Sequence, residues 1–178
     1  LVCFAGWTDK YQQVLGCQNP VASNFYNFTV PVSQGVTCVI APDEPSLLGL
    51  VSLIAAPLCA GNTVVALGSQ KHPIPTAIFG EVCQTSDVPA GVINLLTGKR
   101  SDLIEQVATH RQVASVNAAG LSKKDRVTIE VGAADSIKRV SFSSLKGDAW
   151  YDPQLCASPW AIEPFVEMKT IWHPSSSH

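Results

Sequence analysis

Apolar positions fall along this chain in short bursts whose spacing changes from segment to segment. Val36 to Ile40 is a run rich in β-branched side chains, the pattern of a strand buried on both faces. Ser46 to Ala60 is apolar nearly all round, too long for one strand and rich in Leu and Ala, which predicts a buried helix. Pro45 suits its first turn and Gly61 its C-cap. Thr63 to Leu67 reads as a second buried strand. Strand, helix and strand in this order predict a right-handed crossover between parallel strands.

The alternation continues downstream. His72-Pro73-Ile74-Pro75 is a rigid lead-in to a helix over Thr76 to Gln84, where Ile78 with Val82 and Phe79 with Cys83 stand at helical spacing. Asp87 to Gly91 is a turn, and Val92 to Leu96 a third apolar strand ended by Gly98. Ser101 or Asp102 caps a helix carrying Leu103, Ile104 and Val107. Val113 to Val116, Val127 to Val131 and Ile137 to Phe142 read as further strands. The fold class this predicts is α/β, a Rossmann-like doubly wound parallel sheet of about five strands.

The two ends follow a different pattern. Leu1 to Gly16 reads as the end of a helix followed by a turn. Ser23 to Val32 alternates, with Tyr26, Phe28, Val30 and Val32 on one face and Asn27 and Thr29 turned to water. Ser143 to Pro159 has no clear period and reads as a loop packed by Trp150, Tyr151 and the nearby Trp160. Phe165 to Trp172 alternates again, with Val166, Met168 and Trp172 opposite Glu167 and Lys169, and is expected to pair with Ser23 to Val32. The Ser-rich tail from Pro174 is expected to fray. The domain reading is therefore a Rossmann-like unit over 1–142 that includes a flap strand at 23–34, an irregular linker over 143–164 and a C-terminal flap strand over 165–173.

Composition narrows the function classes. With 178 residues, 46% of them hydrophobic and 15% charged, the chain can bury a large core as one domain. A net charge of -2 gives no electrostatic case for nucleic acid or an anionic membrane. The longest apolar stretch, Leu47 to Ala60, contains Pro57 and is too short to span a bilayer. The chain starts at Leu1 and shows no secretory signal, so it reads as a fragment of a longer cytoplasmic protein. Its six cysteines form no Cys-x-x-Cys pair and have no histidine at metal spacing. They are expected to be reduced thiols, with no metal site. Asn27-Phe28-Thr29 matches a glycosylation sequon and is expected to be unused in that compartment.

Several longer motifs carry a resemblance. Ala5-Gly6-Trp7-Thr8-Asp9-Lys10, Gly35-Val36 with Val39-Ile40-Ala41-Pro42, Ala60-Gly61-Asn62-Thr63-Val64-Val65, and Val88-Pro89-Ala90-Gly91-Val92-Ile93-Asn94 with Thr97-Gly98 resemble the aldehyde dehydrogenase superfamily. So do Glu130-Val131-Gly132 and Glu167-Met168-Lys169-Thr170, and all stand in that family's chain order. The closing Glu-Met-Lys-Thr-Ile-Trp-His-Pro is most similar to the degenerate second domain of the two-domain family 16 enzymes. The resemblance implies a cofactor domain joined to an antiparallel β flap used for oligomerisation. It also implies that the catalytic domain is absent, since only about thirty residues separate Gly132 from Phe165, against roughly 100 for a domain.

The family's chemistry needs a cysteine nucleophile, an oxyanion donor, a general base and a bound dinucleotide. No cysteine stands in the family's Gly-Gln-x-Cys context, and Cys156 in Gln-Leu-Cys-Ala-Ser offers no match. The resemblance puts Glu44 where the family has its oxyanion asparagine, and an ionised carboxylate donates no hydrogen bond. It puts Glu130 at the general-base position. Cofactor positions fall on Ile40, Ala41, Pro42, Ser69, Gly98 and Gly120, while Leu67 replaces the ribose-binding lysine and Gln70 the glutamate after it. Arg100 and Ile104 replace later glycines of the phosphate loop. The expectation is a chain that is no enzyme by itself, that binds NAD(P) weakly or not at all, and that serves structure and oligomer assembly. Its partners would be other subunits or an N-terminal aldehyde dehydrogenase domain of the same protein, with Tyr26, Phe28, Val30, Val166, Met168 and Trp172 as the interface of a homo-oligomer. The alternative is an NAD(P)-binding module whose catalytic half comes from another domain or subunit.

Overall fold

The structure, a computed structural model, describes residues 1–175. The helices are α1 (Val2–Trp7), α2 (Tyr11–Leu15), α3 (Ser46–Cys59), α4 (Ile74–Gln84), α5 (Arg100–Thr109), α6 (Lys123–Ala134) and the single turn α7 (Pro153–Cys156). The strands are β1 (Cys17–Asn19), β2 (Phe25–Ser33), β3 (Val36–Ile40), β4 (Thr63–Leu67), β5 (Ile93–Leu96), β6 (Val113–Ala119), β7 (Arg139–Ser143) and β8 (Val166–Pro174). Of the Ser-rich tail, Pro174 closes β8, and residues 176–178 lie outside the described residues. No helix among the described residues is long and apolar enough to cross a membrane.

Five parallel strands form the main sheet in the order β5-β4-β3-β6-β7. Alternate side chains of each strand serve opposite faces, so the sheet supports two cores. Val39, Val64 and Ala66 meet Leu50, Leu53 and Ile54 of α3 on one face. Cys38, Ile40, Leu67, Val116 and Ala118 meet Ile104 of α5 and Ile129 of α6 on the other. The α/β fold class, with its doubly wound parallel sheet and separate small antiparallel sheet, is the one the hydrophobic pattern predicts.

One predicted strand is a helix. Val127 to Val131 lies inside α6, where Ile129 is fully buried while Val127 and Val131 are exposed. Two forces favour the helix. Ser122 caps it, its Oγ accepting from the Asp125 backbone N–H at 3.1 Å and donating to Asp125 Oδ2 at 2.8 Å. Burial at Ile129, Gly132 and Ala133 also follows a helical period. Gly132 is required there, since a Cβ would stand 2.7 Å from Ala108 Cβ and 2.9 Å from its backbone, where α5 and α6 touch. The Glu-Val-Gly segment is thus a helix-packing site. Likewise Leu1 to Gly16 is two short helices, not the end of one.

The second sheet has the order β1-β2-β8, antiparallel throughout. β2 pairs with β8 from Phe25↔Pro174 to Ser33↔Val166, as the alternating segments predict, and β1 adds a strand the pattern did not reveal. The register corrects the expected apolar face. Directly opposed residues share a face. Tyr26, Phe28 and Val30 lie opposite His173, Ile171 and Lys169, whereas Val166, Met168 and Trp172 lie opposite Ser33, Pro31 and Asn27. The six candidate interface residues are therefore divided between two faces. Val166 is buried in the core with Phe4, Tyr11 and Ile162. Asn27, expected to face water, is buried, and Asn19 Nδ2 donates to its Oδ1 at 2.6 Å. A buried amide does not present a glycosylation site.

Asn62 fastens the two sheets together. It is buried; its Oδ1 accepts from the backbone N–H of Gln34 (2.8 Å) and Gly35 (2.9 Å), and its Nδ2 donates to Pro57 O (3.1 Å) and Phe165 O (2.8 Å). One side chain thereby joins the β2–β3 turn, the end of α3 and the start of β8. Arg139 adds a second tie, donating to Val166 O and pairing with Glu167 at 2.8 Å.

The segment 143–164 is more structured than a linker. It holds 3-10 turns at Gly147–Tyr151, Pro159–Ala161 and Glu163–Phe165 around α7. Trp150 is 1% exposed and packs in the core over Leu50 and Leu53, while Tyr151 and Trp160 are exposed.

Candidate functional site

The chain runs from β3 outward to β4 and β5, then returns to β6 on the other side of β3. Doubly wound sheets take ligands outside the carboxyl ends of the strands at this switch point. Ile40 ends β3 and Ala41 follows it, both fully buried, with Pro42 next. Across the crevice stands Gly120 at φ +67, where any Cβ would come within 3.3 Å of Pro42. Only glycine meets both demands without strain. Ser69, also fully buried, follows β4, and Gly98 lies exposed before α5. The six residues read as cofactor positions thus do converge on one edge of the sheet.

An ion pair that the sequence reading did not anticipate lies among them. Arg100, the first residue of α5, is buried and reaches back over the strand ends to Asp43. Its guanidinium donates from Nη2 to Asp43 Oδ1 at 3.0 Å, from Nη1 to Asp43 Oδ2 at 3.3 Å, and from Nη2 to Ala41 O at 2.7 Å. Asp43 Oδ1 also accepts from Ser69 Oγ at 3.0 Å and from the backbone N–H of Gln70 (3.1 Å) and Lys71 (3.3 Å). Burial pushes the Asp43 carboxyl up, but the Arg100 charge, the Ser69 hydroxyl and the Lys71 N–H and charge outweigh it. They hold Asp43 below the usual carboxylate range. Gln70 Oε1 in turn accepts from the Arg100 backbone N–H at 3.1 Å, tying the start of α5 to the β4–α4 loop.

These contacts decide whether the dinucleotide implied by the resemblance fits. Near the end of β4, the Ser69 hydroxyl and the Gln70 and Lys71 N–H groups bond Asp43, and Gln70 Oε1 bonds the Arg100 N–H. Leu67, at the position of the ribose lysine, is buried in the core under α5 and α6. The Ala41 carbonyl is bonded to Arg100. A dinucleotide could use these groups only by displacing the bidentate ion pair and replacing its hydrogen bonds, so this part of the crevice does not fit it.

The catalytic positions fare similarly. Glu44 is exposed, with its Oε1 3.7 Å from His72 Nε2. Glu130 is corrected by the α6 assignment, for it is an exposed helix residue roughly 10 Å along the axis from the end of α6 nearest the crevice. The strand that follows, β7, ends in Ser143, not in a carboxylate. All six cysteines are free. Burial pushes Cys38 up to about 12, and burial with the nearby Cys3 pushes Cys59 up to about 11, which leaves both as unreactive thiols. No group of three or more metal-ligating side chains forms among the described residues.

Residues 1–144 match the profile described as the aldehyde dehydrogenase family. Retinaldehyde dehydrogenase 3 of Homo sapiens is 30% identical over 138 residues, which are 78% of this chain and 26% of that protein. Aldehyde dehydrogenase 1A1 of Gallus gallus is 28% identical over 137 residues, 77% of this chain and 26% of that one. Among solved structures, an NAD+ complex of an aldehyde dehydrogenase from Bacillus cereus superposes with a TM-score of 0.72 at 24% identity, over 78% of this chain and 28% of that one. At that identity the likeness concerns the fold alone. A lactaldehyde dehydrogenase gives a TM-score of 0.72 at 25% identity, over 78% of this chain and 28% of that one. The chain spans about a quarter of the length of the relatives it matches.

Proposed function

The chain belongs to the aldehyde dehydrogenase family, and from that membership we propose that it is a non-catalytic, cofactor-type domain working by assembly within a larger family member. The Asp43–Arg100 pair carries this reading. It uses the polar groups of the crevice for internal bonds, where a working cofactor domain would leave them to the ligand. The closing Glu167-Met168-Lys169-Thr170 and the substitutions at Glu44 and Leu67 support a kinship with the degenerate second domain of family 16.

The antiparallel sheet supports the assembly half. Among the described residues β8 is a nine-residue strand paired on one side only, and beyond Val166, whose carbonyl accepts from Gln34 and Arg139, its outer edge offers backbone groups to another strand. Phe25 and Trp172 stack edge to face at 5.9 Å on one face of this sheet, and Met168 on that same face is also exposed. Asn62 and Arg139 hold the start of β8 rigidly, so the strand presents a fixed edge. We expect the chain to self-associate through it, and the Met168→Glu/Trp172→Glu double variant to sediment as a monomer while keeping its circular dichroism. Tyr26→Glu, on the other face, is expected to leave the assembly intact. A wild-type chain that is monomeric at micromolar concentration, or a double variant of unchanged mass, overturns this part.

The alternative, an NAD(P)-binding module completed by another domain or subunit, draws on Gly98 and Gly120. A Cβ at Gly98 would meet nothing within 4 Å, so that loop remains open to a ligand. Calorimetric titration separates the two readings. We expect no saturable heat with NAD or NADP in the micromolar range, and saturable binding there would favour the alternative.

A further inference from the structure

A parallel sheet buried on both faces is expected to be apolar on both. Half of this one is not. The side of β6 and β7 that faces α3 carries Ser115, Asn117, Ser141 and Ser143, with Asn117 opposed to Ser141. The reverse side carries Val116, Ala118, Val140 and Phe142. The Ser115 hydroxyl is accounted for by Thr37 at 2.8 Å. Asn117 is only 6% exposed, and its Nδ2 donates to Leu53 O at 2.8 Å. Nothing among the described residues donates to its Oδ1, and the Ser52 and Ser141 hydroxyls are likewise without partners there. None of these three oxygens is sealed in the interior: Ser52 and Ser141 are half-buried, and all three stay accessible to a group that could bond them.

These groups share a cavity of about 240 Å³. Asn117 and Ser141 line it from the sheet and Ser52 and Leu53 from α3, while Trp150 and Trp160 come from the segment beyond the family match. Trp150 is buried and Trp160 is 59% exposed, so the cavity has a fixed wall and an accessible indole. A dry apolar cavity of about 150 Å³ already accommodates benzene. No Lys, Arg, His, Asp or Glu lines this one, so it offers no counter-charge to an ionised ligand.

We propose that this cavity binds a neutral aromatic molecule carrying one hydrogen-bond donor. The ring packs against the indole of Trp150 and the donor bonds to Asn117 Oδ1. The site is separate from the Asp43–Arg100 crevice and does not depend on the proposed function above. The test uses p-cresol, toluene and benzoate as probes, titrated into the full chain by calorimetry. p-Cresol is expected to bind saturably. Toluene, lacking the donor, is expected to bind roughly fivefold more weakly, the factor for one net hydrogen bond, and benzoate not to bind. Asn117→Leu should abolish the difference between p-cresol and toluene. Because Asn117 also bonds α3, Ser52→Trp provides a second variant that fills the cavity from the helix and should abolish binding of both, with folding verified by circular dichroism. Absence of saturation by p-cresol, benzoate binding as well as p-cresol, or full p-cresol binding by a folded Ser52→Trp chain would overturn the proposal.

Discussion

Asp43→Ala is expected to lower the unfolding free energy by about 3 kcal/mol, the low end for breaking a buried ion pair. The side chains of Asp43 and Arg100 are 17% and 10% exposed, so the remaining guanidinium would stand largely out of water without its counter-ion. Three further donors, Ser69 Oγ and the N–H groups of Gln70 and Lys71, would lose their common acceptor. Asp43→Asn keeps an oxygen for those donors and should cost less. The coupling is read from a double-mutant cycle. Asp43→Ala/Arg100→Ala removes both charges together, and should be less damaging than the sum of the single changes by more than 1 kcal/mol. Additivity within about 0.5 kcal/mol would show that the pair contributes nothing as a pair.

The same pair gives a pH signature whose sign is fixed. Asp43 has a folded pKa below its unfolded one. The unfolded chain therefore holds the proton at pH values where the folded chain does not, and stability rises with pH across that interval. The contribution is complete above the ordinary carboxylate range near pH 4 and disappears as pH falls through the depressed folded value. Denaturation curves of wild type and Asp43→Ala should consequently differ most near neutrality and converge in strong acid. A difference that is constant down to low pH would mean that the carboxylate charge is not the source of the effect.

How much of this was legible in the sequence depends on the range of the interaction. β3, α3 and β4 could be read because each is specified locally, by β-branched runs or by an apolar helix with a proline before it and a glycine after it. The β2–β8 pairing could be inferred from two alternating segments, but its register could not. Shifting one strand by a single residue exchanges all its faces, and it is the register that separates Tyr26 from Trp172. Val127 to Val131 misled because a short run of valines and isoleucine reads as a strand, while the deciding features, the Ser122 cap and the Gly132–Ala108 contact, lie outside that window. The Asp43–Arg100 bond spans 57 positions and joins the loop after β3 to the first residue of α5, neither of distinctive composition. What was visible was a missing glycine at position 100; that its side chain would bury itself in the crevice depends on the crossover bringing α5 over the ends of β3 and β4. Asn62 was visible only as part of a motif, and its four bonds follow from burial at the junction of the two sheets.

Trp150→Ala should be the most damaging single change in the C-terminal third. The side chain is 1% exposed and packs on Leu50, Leu53 and Ala119, so its removal leaves a cavity that α3 and the sheet cannot collapse to fill. Truncation of a buried Trp costs about 3–5 kcal/mol. With a urea dependence of about 2 kcal/mol per molar, the unfolding midpoint falls by roughly 2 M. The prediction matters because the sequence of this segment, with its prolines, glycine and lack of period, reads as a connector. A connector would tolerate the change within about 0.5 kcal/mol, as exposed positions do. Tyr151→Ala, one residue on and solvent-exposed, supplies that comparison in the same turn. If both variants unfold at the wild-type midpoint, the segment is a tether and the packed arrangement of Trp150 is wrong. If Trp150→Ala alone unfolds early and in a single transition, the segment beyond the family match is part of the same cooperative core as α3 and the sheet.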